Sequence, residues 1–256
     1  MKVWKEQVDP NGSVDLTTLD APRAAADMER WPAQQLLAWA VRVGRATFST
    51  GFGVEGCVLI HLIASERLPI DVFTLDTGLL FPETYTLWRT LEQRYGITIR
   101  GVRPAQTVDE QAIAHGPALW KRDPNRCCAL RKLEPLEAAL EGADLWITAI
   151  RRDQTPERAT ASVIERDTRY GLLKVNPLVG WTSDDVWNFV RDNDVPYNPL
   201  HDANYPSIGC LPCTTPASTD EHPRAGRWRG HEKNECGLHQ RPDLVRGVPL
   251  QLRSSS

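Results

Sequence analysis

Chemistry in this chain is concentrated in its cysteines, of which there are six. An adjacent pair, Cys127-Cys128, and a Cys210-Leu-Pro-Cys213 pair supply four thiols, the usual ligand count for a [4Fe-4S] cluster or a structural zinc ion. Neighbouring residues do not easily aim both side chains at one tetrahedral ion, and zinc ligands are normally spaced by two or more residues. A cluster presents several iron corners and suits the adjacent pair better. A Cys-x-x-Cys redox pair beside two buried cysteines is the reading left open. Cys57 sits in the apolar run Cys57-Val-Leu-Ile60, where a free cysteine behaves as a small hydrophobe, so no function is expected of it.

The remaining cysteine, Cys236, stands in Glu235-Cys-Gly-Leu-His239, just after Arg224-Ala-Gly-Arg-Trp228. A thiol of reference pKa ~8.5 is only slightly ionised at neutral pH, so a nucleophilic cysteine needs positive charge beside it. Arg224, Arg227 and His239 could supply that charge, and each unit of pKa lowering is worth about 1.4 kcal/mol. A solvated basic tail with a spare thiol has the same composition.

Three further stretches could hold an anion. Ser49-Thr-Gly-Phe-Gly-Val-Glu55 is a small-residue turn whose backbone amides could cradle an anion at a helix N-terminus. It lacks the Lys-Ser/Thr ending of a Walker A loop. Leu75-Asp-Thr-Gly78, followed by Phe81-Pro-Glu-Thr84, could meet a ribose or base, although Asp76 and Thr77 serve equally well as turn and N-cap residues. Arg151-Arg-Asp-Gln-Thr-Pro-Glu-Arg158 and Cys128-Ala-Leu-Arg-Lys132 carry cations, and arginine forks match phosphate and sulfate oxygens.

The elements that must position these residues alternate in type. Strands are expected at Arg45–Ser49, Asp71–Leu75, Ile97–Val102 and Leu145–Ile150. Helices are expected at Val54–Ser65, Glu83–Tyr95 and Leu130–Leu140. That alternation implies parallel βαβ units in a doubly wound α/β sheet, with ligands beyond the carboxyl ends of the strands, in the loops after Phe48, Leu75 and Ile150. Thr182 is expected to cap a further helix with Asp185 bonding back. The Pro- and Gly-dense stretch from Pro196 to Pro223 reads as a boundary where regular structure thins.

The 256 residues, 41% hydrophobic, suffice for one sizeable core. With 30 basic and 33 acidic side chains the net charge is −3, so no whole-molecule field favours nucleic acid and any anion site is built locally. No secretory signal or membrane-length apolar run is recognisable, and six cysteines are too few for a disulfide scaffold, so a soluble, cytoplasmic protein is expected.

Taken together, STGFGVEG, LDTGLLFPET, CCALRK, RRDQTPER, CLPC, RAGRW and ECGLH follow the order and approximate spacing of the assimilatory adenylyl-sulfate (APS) reductases, of the sulfonucleotide reductase family. The chain resembles them from about residue 45 to residue 240. The resemblance implies an adenine nucleotide α-hydrolase-like sheet with a mobile C-terminal tail that closes over the substrate and carries the nucleophile. It implies that Cys127, Cys128, Cys210 and Cys213 ligate a [4Fe-4S] cluster and that Cys236 attacks sulfur. Lys132, Arg224, Arg227 and His239 would be the cations gathered on the phosphosulfate. Ser49, Thr50, Phe52 and Gly53, then Leu75, Asp76 and Thr77, then Arg151, Arg152 and Arg158 would hold the nucleotide.

The implied reaction displaces AMP from sulfur, leaves an S-sulfocysteine and releases sulfite to reduced thioredoxin. The cluster is implied to act electrostatically and structurally, through Lys132. Family members with both cysteine pairs generally prefer APS, and those without use the 3'-phosphorylated form (PAPS), so APS is the expected substrate. Two departures stand out: Gly51 where relatives often have serine, and Ala149 where they have glycine. Only Gln240 to Ser256 follow His239, so the thioredoxin is expected to be a separate protein.

A tRNA-thiolating enzyme would need an S-G-G-x-D-S type loop and a basic RNA face, and an iron-sulfur redox sensor would not need Cys236. The expected division is an N-terminal helical segment (1–44), a nucleotide-binding α/β domain with the cluster ligands (45–213) and a catalytic tail (214–256).

Overall fold

The computed structural model describes residues 14–233 and 235–239, so parts of the expected N-terminal segment (1–13) and tail (234 and 240–256) lie outside the described residues. The chain opens with α1 (Ala21–Met28), capped by Asp20, whose side chain accepts from the Arg23 amide. It continues into α2 (Ala33–Val43). Met28, Leu36 and Leu37 of these helices are fully buried in the same core as the sheet.

Next come β1 (Ala46–Thr50), α3 (Val54–Ser65), β2 (Asp71–Leu75), α4 (Pro82–Tyr95) and β3 (Arg100–Val102). The short helices α5 (Val108–His115), α6 (Leu119–Arg122) and α7 (Pro124–Cys128) follow, then α8 (Glu134–Leu140), β4 (Leu145–Ile147), β5 (Ile164–Asp167), β6 (Leu172–Val175) and α9 (Ser183–Asp192). Beyond α9 the described chain holds only single 3-10 turns, including Pro199–Ala203 and Leu211–Cys213.

The six strands form one sheet in the order β3-β2-β1-β4-β6-β5. All pairs are parallel except β5 with β6. From β1 the chain winds outward through β2 and β3, then returns to lay β4 on the other side of β1. That reversal opens a crevice at the carboxyl ends of β1 and β4, where ligands of doubly wound sheets bind. The central strands are buried on both faces, as a parallel sheet covered by helices requires, with Phe48, Phe73, Trp146 and Ile147 fully enclosed.

Most expected elements are present. The strand expected at Ile97–Val102 shortens to three residues, and that at Leu145–Ile150 ends at Ile147, freeing its last residues for the loop over the crevice. The helix expected from Leu130 is broken in type. Ala129–Leu133 forms a π-helical turn before α8 begins, with Pro135 in its first turn. A π turn carries one extra residue, and this one holds Arg131 and Lys132.

Candidate active site

The loop after β1 is shaped by two hydrogen-bonded side chains. Thr50 Oγ1 accepts from the Phe52 amide at 3.0 Å, and Ser49 Oγ accepts from the Trp146 indole N–H at 2.8 Å. Phe52 adopts φ 57, a left-handed conformation uncommon outside glycine. That turn sends its ring inward to stack on Trp88 at 5.6 Å. Helix α3 starts at Gly53 with no side-chain cap, so its first amides remain to be satisfied by something in the crevice.

A cavity of about 590 Å³ fills that crevice. It is lined by Ser49, Thr50, Gly51 and Gly53 after β1, by Leu75 and Thr77 at the end of β2, and by Arg151 and Arg158 after β4. Lys132 reaches it from the π turn, and Arg224, Arg227, Cys236 and His239 reach it from the C-terminal segment. Gly51 and Ala149 line it too.

Backbone pairing explains how the late segment arrives there. Cys210 bridges to Leu80, and the Leu211 amide donates to the Leu79 carbonyl at 2.7 Å, pinning the Cys210–Cys213 turn to the loop after β2. Thr214 then bridges to Arg227, and the Trp228 amide donates to the Cys213 carbonyl at 3.0 Å, folding Arg224–Trp228 back on that turn. The tail is held at two places. Glu235 pairs with Arg158 and Arg224. Leu238 packs against the cluster of Phe73, Leu136, Leu140, Trp146 and Leu172, while His239 stacks on Trp146 with centroids 5.3 Å apart. Cys236 lies between these attachments.

The cavity carries surplus positive charge. Arg151 is neutralised by Glu55 and Asp153. Arg158 and Arg224 share the single carboxylate of Glu235. Among the described residues Arg227 donates to Ser207 Oγ and the Ile208 carbonyl, and its guanidinium lies 4.5 Å from the Trp228 ring centre. Among the described residues neither Arg227 nor Lys132 has a carboxylate partner. Burial is the largest influence on Lys132 and opposes its charge, yet the thiols of Cys210, Cys128 and Cys236 together raise its proton affinity above the ordinary lysine value.

Four residues expected around the substrate direct their side chains as follows. The Phe52 side chain belongs to the core. Asp76 points away from the cavity, accepting from Tyr85 Oη at 2.6 Å, the Gly78 amide and Arg103 Nε, because β2 ends in a turn that needs its carboxylate. Arg152 faces the other side of its 3-10 turn, donating to the Ala161 carbonyl and Glu29. His239 is in the cavity wall, where its positive charge is disfavoured. Burial depresses its pKa well below the usual imidazole value, Lys174, Arg158 and Arg224 push the same way, and its buried Nδ1 has no hydrogen-bond partner among the described residues.

A second, small cavity adjoins the first and is lined by Cys127, Cys128, Cys210 and Cys213, with Trp120, Arg131, Lys132 and Trp228 among its other walls. All four cysteines are free thiols. Burial pushes the Cys127 thiol up to about 11 and the Cys213 thiol up to about 12, and raises Cys128 as well. Four thiolates are tolerable there only against strong positive charge. Arg131, 3% exposed, donates to the carbonyls of Thr77, Gln106 and Thr107 and to Gln111 Oε1, all neutral acceptors. Among the described residues no three His, Cys, Asp or Glu side chains converge on a point that could hold one metal ion. The four cysteines are soft donors around one cavity, the donor type that iron-sulfur clusters take.

The sequence profile of the phosphoadenosine phosphosulfate reductase domain matches residues 45–216, about two thirds of the chain. The chain belongs to the phosphoadenosine phosphosulfate reductase family. It is 47% identical to an adenosine 5'-phosphosulfate reductase of Oceanobacillus iheyensis over 83% of this chain and 90% of that protein. It is also 47% identical to adenosine 5'-phosphosulfate reductase 1 of Bacillus subtilis, over 75% of this chain and 83% of that one. The crystal structure of a phosphoadenylyl-sulfate (PAPS) reductase from Candida auris superposes with TM-score 0.71 at 31% identity, covering 80% of this chain and all of that one. An FMN adenylyltransferase of Candida glabrata, 15% identical with TM-score 0.53, shares the fold alone over 82% of this chain and 75% of its own.

In this reductase-family fold, the residues that sequence reasoning passed over are those that act on other side chains. Glu55 neutralises Arg151, Ser207 accepts from both Arg224 and Arg227, and Trp146 joins the β1 loop to the tail. None sits in a distinctive spacing; Glu55 closes the small-residue turn that begins at Ser49, but nothing in that turn marks Arg151 as its partner.

Proposed function

We propose that this chain reduces adenylyl sulfate to sulfite and AMP, as an oxidoreductase of sulfate assimilation leading to cysteine, with Cys236 as nucleophile. The observation that carries this reading is one cavity in which a cysteine thiol shares the walls with Lys132, Arg224 and Arg227, opposite a glycine-containing βα loop suited to a nucleotide phosphate. The relatives at 47% identity named as adenosine 5'-phosphosulfate reductases support the substrate. The presence of both cysteine pairs supports APS over PAPS.

The Cys236 thiolate attacks the sulfate sulfur. The bond from that sulfur to the bridging oxygen breaks, its electron pair leaves with AMP, and Cys236 retains the SO3 group. A thioredoxin or similar dithiol protein then attacks the Cys236 sulfur, and sulfite departs with the electron pair of the sulfur–sulfur bond. The partner's second thiol closes its own disulfide and returns Cys236 as thiolate, so the dithiol supplies both electrons.

Lys132 and Arg227 act on the phosphosulfate oxygens as negative charge builds on the leaving phosphate, and fixed donors in a closed site stabilise that charge better than water does. Arg224 adds to that field from the same wall. Ser49, Thr50, Gly53, Leu75, Thr77, Arg151 and Arg158 bound the nucleotide's share of the cavity. Cys127, Cys128, Cys210 and Cys213 would hold the [4Fe-4S] cluster, which supplies a polarising charge beside Lys132 rather than electrons. No described helix is long and apolar enough to cross a membrane. The dithiol reductant in this reading suits a reducing compartment, and the cytoplasm is the proposed setting.

The test is intact-protein mass spectrometry after mixing with APS alone. One added SO3 per chain, absent from Cys236→Ser while the brown cluster colour persists, supports the reading; no adduct on the parent protein refutes it. Sulfite release from APS and PAPS with thioredoxin present, compared side by side, decides the substrate.

A further inference from the structure

We infer that Glu235 is a positioning residue that seats the neighbouring Cys236 thiol by binding the Arg158–Arg224 pair. The inference rests on Cys236 being the nucleophile. Glu235 is 5% exposed, although acidic residues are seldom that enclosed unless paired. Its carboxylate meets Arg158 through one hydrogen bond and one close ion pair: Nη2 donates to Oε2 at 2.9 Å, and Nε lies 2.9 Å from Oε1 without hydrogen-bond alignment. Arg224 Nη2 donates to the same Oε2 at 3.2 Å, and Thr155 Oγ1 lies 3.4 Å from Oε1.

These groups come from separate parts of the chain. Thr155 and Arg158 belong to the loop after β4, and Arg224 to the segment folded on the Cys210–Cys213 turn. Glu235 comes from the tail. Charge-assisted hydrogen bonds to Oε2 from two arginines, with the Arg158 Nε charge beside Oε1, hold the carboxylate in place, and the thiol belongs to the very next residue. The far side of Cys236 is set by Leu238 and His239 on Trp146, so the thiol is held from both directions. Arg158 otherwise donates only to Gln154 Oε1 among the described residues. Withdrawing the tail therefore takes from Arg158, 12% exposed with the tail in place, the carboxylate it pairs with among the described residues.

The experiment uses the full, cluster-loaded protein and reads two rates. One is iodoacetamide alkylation of Cys236, mapped by peptide mass. The other is formation of the SO3 adduct from APS in a single turnover. Glu235→Gln is expected to speed alkylation and slow adduct formation by about thirtyfold or more, the effect of breaking a buried charge pair, with AMP affinity unchanged. Glu235→Asp, which keeps the charge on a shorter arm, is expected to fall between Gln and the parent in both rates, and it decides the question should the Gln variant not fold. Parent-like values for both rates overturn the inference. So does a loss of AMP affinity matching the loss of rate, which would make Glu235 part of the nucleotide site. If the parent protein itself forms no adduct, the nucleophile assignment fails instead, and the two failures are distinguishable.

Discussion

Lys132 and Cys210 stand on the wall shared by two cavities, one of nucleotide size and one ringed by four cysteines. The ammonium is thus placed to act on a substrate anion while compensated by the thiols behind it, and its raised proton affinity follows from that arrangement. Replacing Lys132 by Gln removes a fixed cation where charge develops. Release of AMP from APS in a single turnover is expected to slow about 100-fold, on the order of 3 kcal/mol of barrier. Lys132→Arg should recover part of it. A Gln variant within a few-fold of the parent would remove Lys132 from the mechanism.

Gly226, between Arg224 and Arg227, is required by close approach of two backbones. A Cβ there would stand 2.0 Å from the Thr215 carbonyl oxygen, which no neighbouring flexible group can relieve. The Thr215 amide donates to the Gly226 carbonyl at 2.8 Å across the same contact. Gly226→Ala is expected to push Arg227 off its seat and reduce turnover by more than an order of magnitude, with the main thermal transition little changed because the sheet core is remote. By contrast, Gly51 has open space around an added Cβ, so Gly51→Ser is expected to fold as the parent does.

The parts of this fold that were legible share one property, a strong local pattern. Val54–Ser65 is apolar all round, Asp71–Leu75 is a short β-branched and aromatic run, and the Thr182–Asp185 capping box appears in the structure with both bonds made. Strands β5 and β6 escaped notice because Lys174 and Glu165 interrupt their apolar pattern. Their charges meet in a 2.8 Å pairing across the two strands, a long-range fact invisible in spacing. Helix α5 buries only Gln111 and so shows no apolar stripe. At the site, the cysteines and cations were readable by type. Which arginine faces the cavity was not, since Arg151 and Arg152 differ only in the side of a 3-10 turn they occupy.

The acid side of the stability profile is set partly by histidines. Burial depresses the pKa of His61 and of His201 below the ordinary imidazole value. His61 lies edge-on to Tyr95 and Phe189, with Nδ1 3.0 Å from the Tyr95 hydroxyl, so it links α3, α4 and α9. In the unfolded chain these imidazoles take up protons near pH ~6.5, while in the folded chain they resist until lower pH. Stability is therefore complete above ~6.5 and declines as pH falls from there toward the folded-state pKa values. His61→Phe, which keeps the ring contacts, is expected to reduce the slope of unfolding free energy against pH in that window, measured by urea titration at several pH values. An unchanged slope would show that His61 titrates alike in the folded and unfolded chains and does not contribute to the pH dependence.

Trp146 ties nucleotide loop and tail together through different parts of one side chain. Its N–H donates to Ser49 Oγ, while its ring face carries His239 and its edge meets Tyr170 at 5.7 Å. These roles separate by substitution. Trp146→Phe removes the donor but leaves an aromatic face for the tail, so stability should fall by about 1 kcal/mol from the lost hydrogen bond. KM for APS should rise, while the rate of SO3 transfer at saturation stays near the parent's. Trp146→Leu removes the ring face as well, so transfer at saturation should also slow as His239 loses its seat. Because Trp146 is fully buried, the larger truncation to Ala is expected to cost about 3–5 kcal/mol in stability and to confuse the comparison. Steady-state kinetics of the Phe and Leu variants, with urea unfolding alongside, make the distinction. If Phe changed the saturated rate and left KM alone, the indole N–H would be acting on the tail instead of on the loop.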